Sequence, residues 1–194
     1  MQTPPPEISY AAWGRAFFRE AVSVERVLAA VNVLSGQPVD LGPLGVGPGR
    51  VARVTAQGAI GEAWGHRVGD DPVAFAVRLP VAVTFTLDLG VDKQVFAADL
   101  EVPLLITGRA RAGLTITLDI EPPRPHQIVV DLRAQGLRAS LTKHAAGVQG
   151  ELQRFVARYV AREVEKDYVL RVRTIDVSAA IDRALVTLAP QRPV

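Results

Sequence analysis

One stretch of strict alternation constrains the fold of this chain more than any other feature. From Val73 to Leu89 every second residue is bulky and apolar, and the residues between them are mostly small or polar, such as Ala76 and Asp88. A period of two is typical of a β-strand with one buried face. The segment therefore predicts a long antiparallel strand, with a bulge or an edge kink at Pro80, which has no N–H to donate.

The same period continues on both sides of this strand. Alternation begins near Arg50 and returns in three later runs, which end near Ile106, Ile120 and Leu132. A hairpin turn is predicted to begin at Gly90, and an apolar phase change after residue 136 predicts a β-bulge. The glycine- and proline-rich segment 41–49 and the polar segment 65–72 are predicted to be irregular. Residues 36–143 therefore predict a β-meander.

Helical spacing brackets the meander. Apolar residues recur at three- and four-residue steps over residues 8–34, with a break or a new N-cap near Ser23. A second apolar stripe runs from Val148 to Val164. It is followed by a strand-like piece at 168–173 and a final helix from about Ser178 to Leu188, for which Asp176 or Ser178 is the predicted N-cap.

These patterns predict an α+β protein. A long, curved antiparallel β-meander would wrap on a long amphipathic C-terminal helix, with a helical segment at the N-terminus. With 194 residues and no linker that divides the chain, a single domain is expected. Its parts would be a mobile lead-in at 1–7, the helical segment 8–34, the meander 36–143 and a helix–strand–helix unit at 145–188.

Composition excludes several classes of function. The chain has no cysteine, which excludes disulfides, thiolate metal sites and cysteine nucleophiles. The net charge is only +2, and no aromatic residues are interleaved with the basic ones, so nucleic acid is not an expected partner. Residues 1–7 lack the basic and apolar regions of a signal peptide, so a cytoplasmic protein is expected, either free or peripheral to the inner membrane.

No motif for a reaction is present. None of the three histidines has a metal ligand at helical spacing, and the segment from Gly42 to Gly49 lacks the Lys-Ser or Lys-Thr pair of a phosphate loop. No cofactor, no metal and no enzymatic activity are therefore expected. An enzyme would require the fold to assemble a polar cluster, for instance around His66, Asp70 and Arg78.

A basic stripe runs along the predicted helix near the C-terminus. Its residues are four apart and lie beside the apolar stripe: Arg154, Arg158, Arg162 and Lys166. One interpretation is a solvated helix face, because acidic residues are interleaved with the basic ones. The other is contact with anionic lipid headgroups, to which each basic residue adds about 1 kcal/mol.

The arrangement of the last third of the chain resembles that of a known superfamily. The helix at 147–160, the short strand after it and Ile175-Asp176-Val177 at the start of the last helix resemble the tubular lipid-binding (TULIP) superfamily. That superfamily includes BPI-like and SMP-type modules and smaller actinobacterial members. The resemblance covers about residues 36–190 and implies a curled sheet and a helix that enclose an apolar groove for acyl chains.

Two hypotheses follow for the function. The first is a lipid-binding module without enzymatic activity, which binds a lipid or another apolar small molecule and contacts an anionic membrane surface. The second is a protein-interaction domain with a filled core, anchored through the aromatic residues Trp13, Phe17 and Phe18, for which a homodimer is one arrangement. The predicted ligand lining of the first hypothesis consists of Val77, Leu79, Val81, Phe85, Leu104, Ile106, Ile116, Phe155 and Tyr159.

Overall fold

The computed structural model describes residues 5–46, 52–88, 93–134 and 142–188. Within these ranges the helices are α1 (Tyr10–Ala21), α2 (Val24–Asn32), α3 (Thr142–Glu163), α4 (Asp167–Val172) and α5 (Val177–Leu188). The strands are β1 (Pro38–Val46), β2 (Ala52–Ile60), β3 (Trp64–Asp70), β4 (Val73–Asp88), β5 (Lys93–Arg111), β6 (Thr115–Glu121), β7 (Val129–Ala134) and β8 (Thr174–Asp176).

Capping side chains set the helix starts. The Ser9 hydroxyl accepts a hydrogen bond from the backbone N–H of Ala12 at 3.2 Å, and the Ser23 hydroxyl accepts one from Arg26 at 3.4 Å. The predicted break at Ser23 is therefore confirmed, because α1 ends at Ala21 and Ser23 caps the start of α2. The Asp176 carboxylate accepts from the N–H of Ala179 at 2.9 Å, which makes it the N-cap of α5.

The long hairpin of β4 and β5 forms the centre of a curled antiparallel sheet. The two strands stay in unbroken register from the pair Ala74 and Thr107 to the pair Asp88 and Lys93. Two short strands, β2 and β3, lie end to end along the free edge of β4. Two more, β7 and β6, lie end to end along the free edge of β5. β1 extends the sheet beyond β2, and β8 extends it beyond β6. The predicted α+β class and antiparallel sheet are confirmed.

Pro80 does not produce the predicted bulge. The register of β4 with β5 passes through the pair Pro80 and Glu101 without a shift. On its other edge, the carbonyl of Pro80 accepts from the N–H of Gly61 at 2.8 Å, in the gap between β2 and β3. The nitrogen and carbonyl of one strand residue face the same edge, so the missing donor falls where β4 changes partner.

The sequence pattern did not predict two of the strands, β1 and β3. Residues 38–46 form β1, whose register with β2 shifts between Leu41 and Leu44. Gly42 and Pro43 therefore lie in an irregularity inside a strand. Residues 64–70 form β3, although the segment 65–72 was predicted as a loop. Trp64 opposes Arg78 and lies on the outer face, whereas it was predicted to share the inner face with Ile60. Because of the linker between β2 and β3, Trp64 faces the opposite side of the sheet from Ile60.

The C-terminal part also differs from the prediction. Residues 168–173 were predicted as a strand, but Asp167–Val172 forms the helical turn α4, and β8 begins only at Thr174. A sheet wrapped on a long C-terminal helix is not confirmed, because the last helix, α5, has only 12 residues. The turn predicted to begin at Gly90 and the bulge predicted after residue 136 lie outside the described residues.

Two hydrophobic cores form on one face of the sheet. In the α3-side core, Val156 and Ala157 pack over the end of the hairpin near Phe85 and Phe96, whose rings stack at 5.4 Å. In the α2-side core, Val22 and Val27 pack over the opposite end. The buried strand residues of that second core are Val73, Phe75, Val77, Ile106, Ile116 and Leu118.

Candidate apolar ligand site

Burial along β4 falls in the middle of the strand. Val77 is 1% exposed and Val83 is 4% exposed, whereas Leu79 and Val81 between them are only partly buried. All four side chains point to the inner face, because they are separated by even numbers of residues. The sheet therefore presents a partly uncovered apolar surface between its two cores.

The partly buried residues on neighbouring strands extend this surface across the sheet. Ile60 of β2 opposes Val81, and Ile120 of β6 opposes Ile106, one inner-face step beyond Leu104 of β5. We call this set the diagonal band, and its members are Ile60, Leu79, Val81, Leu104 and Ile120. Strand spacing of about 4.8 Å and a rise of about 3.3 Å per residue give the band a length of about 25 Å.

Two helices lie against opposite corners of the sheet. α2 lies against β3 at one corner of the sheet, and α3 lies against β7 at the opposite corner. β2 and β6 occupy the other two corners, where Ala56 belongs to the α3-side core and Ile116 and Leu118 belong to the α2-side core. The diagonal band crosses the middle of the sheet, from the end of β2 next to β3 to the end of β6 next to β7.

An amide side chain holds each helix at its corner. The Asn32 carboxamide of α2 accepts from the N–H of Ala63 at 2.7 Å and donates to the Ala63 carbonyl at 3.4 Å. On α3, the Gln153 amide donates to the Ile128 carbonyl at 2.9 Å. Ala63 lies in the linker between β2 and β3, and Ile128 lies just before β7. Each amide thus fixes its helix beside a strand end: Asn32 fixes α2 to the linker between β2 and β3, and Gln153 fixes α3 to the residue before β7.

The nine predicted lining residues divide into three groups. Leu79, Val81 and Leu104 belong to the diagonal band. Phe155 and Tyr159 lie on α3, partly buried, with their rings stacked at 6.3 Å. The other four are fully buried within the two cores, where their neighbours already cover them: Val77, Phe85, Ile106 and Ile116.

Sequence reasoning missed two members of the band. Ile60 was predicted to be on the inner face but was not assigned to the site, and Ile120 was named only as a strand residue. The signal that could have found them is their position at strand ends, next to the breaks that separate β2 from β3 and β6 from β7.

Two of the four residues in the basic stripe of α3 form ion pairs, and two do not within the described part of the chain. Arg154 pairs with Glu151 at 2.7 Å, and Lys166 pairs with Glu163 at 2.8 Å. Arg158 and Arg162 are exposed and have no ion-pair partner among the described residues. Of the four residues predicted to contact anionic headgroups, these two retain uncompensated charge.

A small polar cluster closes the end of α3. The Tyr168 hydroxyl donates to Glu163, which Lys166 also contacts. Burial and the interaction with Glu163 raise the pKa of Tyr168 to about 12, and burial raises the pKa of Tyr159 in the same direction. Burial works to raise the pKa of Glu163, but the hydrogen bonds from Lys166 and Tyr168 outweigh it and lower the value. The cluster joins α3 to α4.

The polar residues considered for an enzyme do not come together. His66 and Arg78 lie on the outer face of the sheet, and Arg78 pairs with Glu101 at 3.5 Å. Asp70 pairs with Arg67 at 3.3 Å, and Arg67 opposes Phe75 on the inner face. Across the described ranges, no group of three potential metal ligands was found, and no helix is long and apolar enough to cross a membrane.

The geometry defines a class of protein: an antiparallel sheet whose apolar face carries two buried cores, with partly buried aliphatic residues between them. No protein-family model matches the chain, and neither a curated protein nor a solved structure matches it. The resemblance to the tubular lipid-binding superfamily stays a prediction.

Proposed function

We propose that this protein binds one long-chain lipid or a similar apolar molecule along the diagonal band and has no enzymatic activity. The observation that carries the proposal is the fall in burial at Leu79 and Val81, which lie between the fully buried residues Val77 and Val83 on the same face of β4. A ligand on the band would remove this apolar surface from water, at about 0.8 kcal/mol for each CH₂ group buried.

The shape and chemistry of the band suit an acyl chain. Its five side chains are aliphatic, and within the described residues no buried side-chain nitrogen or oxygen lacks a hydrogen-bond partner. An unbranched chain needs length rather than polar contacts, and an acyl chain spans half of the roughly 30 Å hydrocarbon core of a bilayer. The band, at about 25 Å, has room for it.

The charged residues of α3 favour an anionic headgroup. Arg158 lies between the stacked residues Phe155 and Tyr159 in the sequence of α3, and Arg162 follows them. Neither arginine has an ion-pair partner among the described residues. A guanidinium binds a carboxylate or phosphate through paired hydrogen bonds. The proposed ligand is therefore an amphiphile with an acidic head, and its acyl chain is the part that the TULIP resemblance also implies.

Native mass spectrometry tests this proposal directly. The purified protein, stripped of lipid and then incubated with a mixture of fatty acids and phospholipids, should retain one lipid per chain. Replacement of Arg158 and Arg162 by Gln should lower retention of acidic lipids more than that of neutral ones, and the Arg154→Gln variant, which removes a paired arginine, is the matched control.

Protein that retains no lipid under any of these conditions would contradict the proposal. It would support the rival hypothesis of a filled core, in which Leu79, Val81 and Leu104 form a shallow surface and the chain acts through protein contacts.

A further inference from the structure

The helix α1 has apolar residues on two sides. Its C-terminal end packs on the sheet: a Cβ added at Gly108 would lie 3.3 Å from Phe18 and 3.1 Å from Val22, so these side chains rest directly on the glycine. The other apolar side consists of Tyr10, Trp13 and Phe17, which recur at three and four residues. These three side chains are exposed by 96%, 57% and 36%, and no residue of α1 is buried.

The remaining side of α1 is basic. Arg15 and Arg19 are exposed and have no ion-pair partner among the described residues. The acidic residue Glu20 is paired with Arg26 of α2 at 3.2 Å. The exposed surface of α1 therefore combines an aromatic stripe with two uncompensated positive charges.

The last turn of α1 is held by the body of the protein. Arg67 donates to the carbonyls of Arg19 and Val22, both at 3.4 Å, and its guanidinium lies 5.5 Å from the centre of the Phe75 ring. These bonds satisfy carbonyls at the C-terminal end of the helix, where positive charge is favourable. The aromatic stripe lies in the turns before this anchor.

We propose that α1 docks on an anionic bilayer, with Tyr10, Trp13 and Phe17 inserted at the interface and Arg15 and Arg19 against lipid phosphates. A helix with Trp and Phe on one side and arginine on the other is the type that lies in the plane of a membrane interface. Tyr and Trp rings match the headgroup region, since they are apolar with one polar atom.

The charges favour a membrane over a protein partner for this surface. An anionic bilayer complements two arginines without requiring a particular arrangement of acidic groups. One of the three predicted protein anchors, Phe18, is already used against Gly108. The inference rests on the proposed function, because a membrane is the source from which a lipid would enter the site, and it assigns the contact to α1 rather than to the basic stripe of α3.

Tryptophan fluorescence can test the docking, because the chain has two tryptophans and the second, Trp64, lies on the outer face of β3. In a Trp64→Phe variant, Trp13 is the reporter. Vesicles of phosphatidylcholine with phosphatidylglycerol should shift its emission to the blue, and brominated acyl chains should quench it. Vesicles of phosphatidylcholine alone should produce a much weaker change.

Vesicle flotation supplies the matched variants. Trp13→Ala should weaken binding by about tenfold or more, because it removes the largest inserted side chain. Arg15→Gln and Arg19→Gln should each weaken it by about fivefold at low salt, whereas Trp64→Ala should bind as the native protein does. Circular dichroism on each variant shows that the fold is retained.

Three results would overturn the inference: no binding to anionic vesicles, equal binding by Trp13→Ala, or a dimer in light scattering that Trp13→Ala abolishes and vesicles do not compete with. The last would assign α1 to a second copy of the chain. Lipid retention in native mass spectrometry is measured without vesicles, so failure of the docking and failure of the proposed function are distinguishable.

Discussion

At the scale of single residues, Gly108 determines how closely α1 approaches the sheet. It lies on the inner face of β5 opposite Leu118, and a Cβ at this position would require Phe18 and Val22 to move away by a few tenths of an ångström. Overpacking of this kind costs about 1–3 kcal/mol.

We expect Gly108→Val to lower the free energy of unfolding by about 1–3 kcal/mol, because the added methyl groups must displace Phe18 and Val22. Denaturant unfolding measures the change. The control is Gly14→Ala in α1, where a Cβ meets nothing within 4 Å. The higher helix propensity of alanine should raise the free energy of unfolding of this variant by about 0.5–1 kcal/mol. Equal stability of Gly108→Val and the native protein would place α1 elsewhere.

The second prediction at this scale concerns Tyr168. Its pKa of about 12 in the folded state lies above the ordinary value of 10.0, because of burial and the hydrogen bond to Glu163. The contribution of this phenol to stability is therefore complete below pH 10 and is lost as the pH rises towards 12.

Ultraviolet titration of the phenolates should show a step near pH 12 that Tyr168→Phe removes and Glu163→Gln moves to lower pH. If the native protein titrates like the urea-unfolded chain, the contact between Tyr168 and Glu163 does not form in solution.

At the scale of elements, two amides fix the helices over opposite corners. We expect Asn32→Ala to cost about 1–3 kcal/mol, because it leaves the N–H of buried Ala63 without a partner. Gln153→Ala should cost about 0.5–1.5 kcal/mol by losing its bond to the Ile128 carbonyl.

Hydrogen exchange should localise these two effects. Asn32→Ala should speed exchange in α2 and β3, and Gln153→Ala should speed it in α3 and β7. The control is Gln37→Ala, whose bond to the Val33 carbonyl is exposed and whose loss should change stability by less than about 0.5 kcal/mol. A global acceleration in both variants would show that the helices are not independently attached.

Local signals in the sequence predicted those elements whose pattern is regular. The alternation around β4 and the cap at Ser23 each depend on neighbouring residues alone, and both were predicted correctly. β1 and β3 were missed because their glycines, prolines and polar residues are tolerated only through pairing with β2 and β4. Their partners are distant along the chain, so a local pattern cannot indicate them.

At the scale of the whole molecule, the partial burial of the diagonal band depends on where the helices α2 and α3 attach to the sheet. Sequence alternation could predict that Leu79, Val81 and Leu104 share a face with Val77 and Val83. It could not predict which of these residues the helices cover, since that depends on the corners at which α2 and α3 attach. The candidate site is therefore a property of the assembled sheet, and only three of the nine predicted lining residues lie on the band.

Occupation of the band is the central claim, and adjacent leucines on β5 provide a direct test. Leu104 lies on the inner face within the band, whereas Leu105 is exposed on the outer face. Titration with parinaric acid should show that Leu104→Trp weakens binding by about tenfold or more, because the indole fills the space, while Leu105→Trp binds as the native protein does. Equal affinities for the two variants, or no binding by the native protein, would contradict the account.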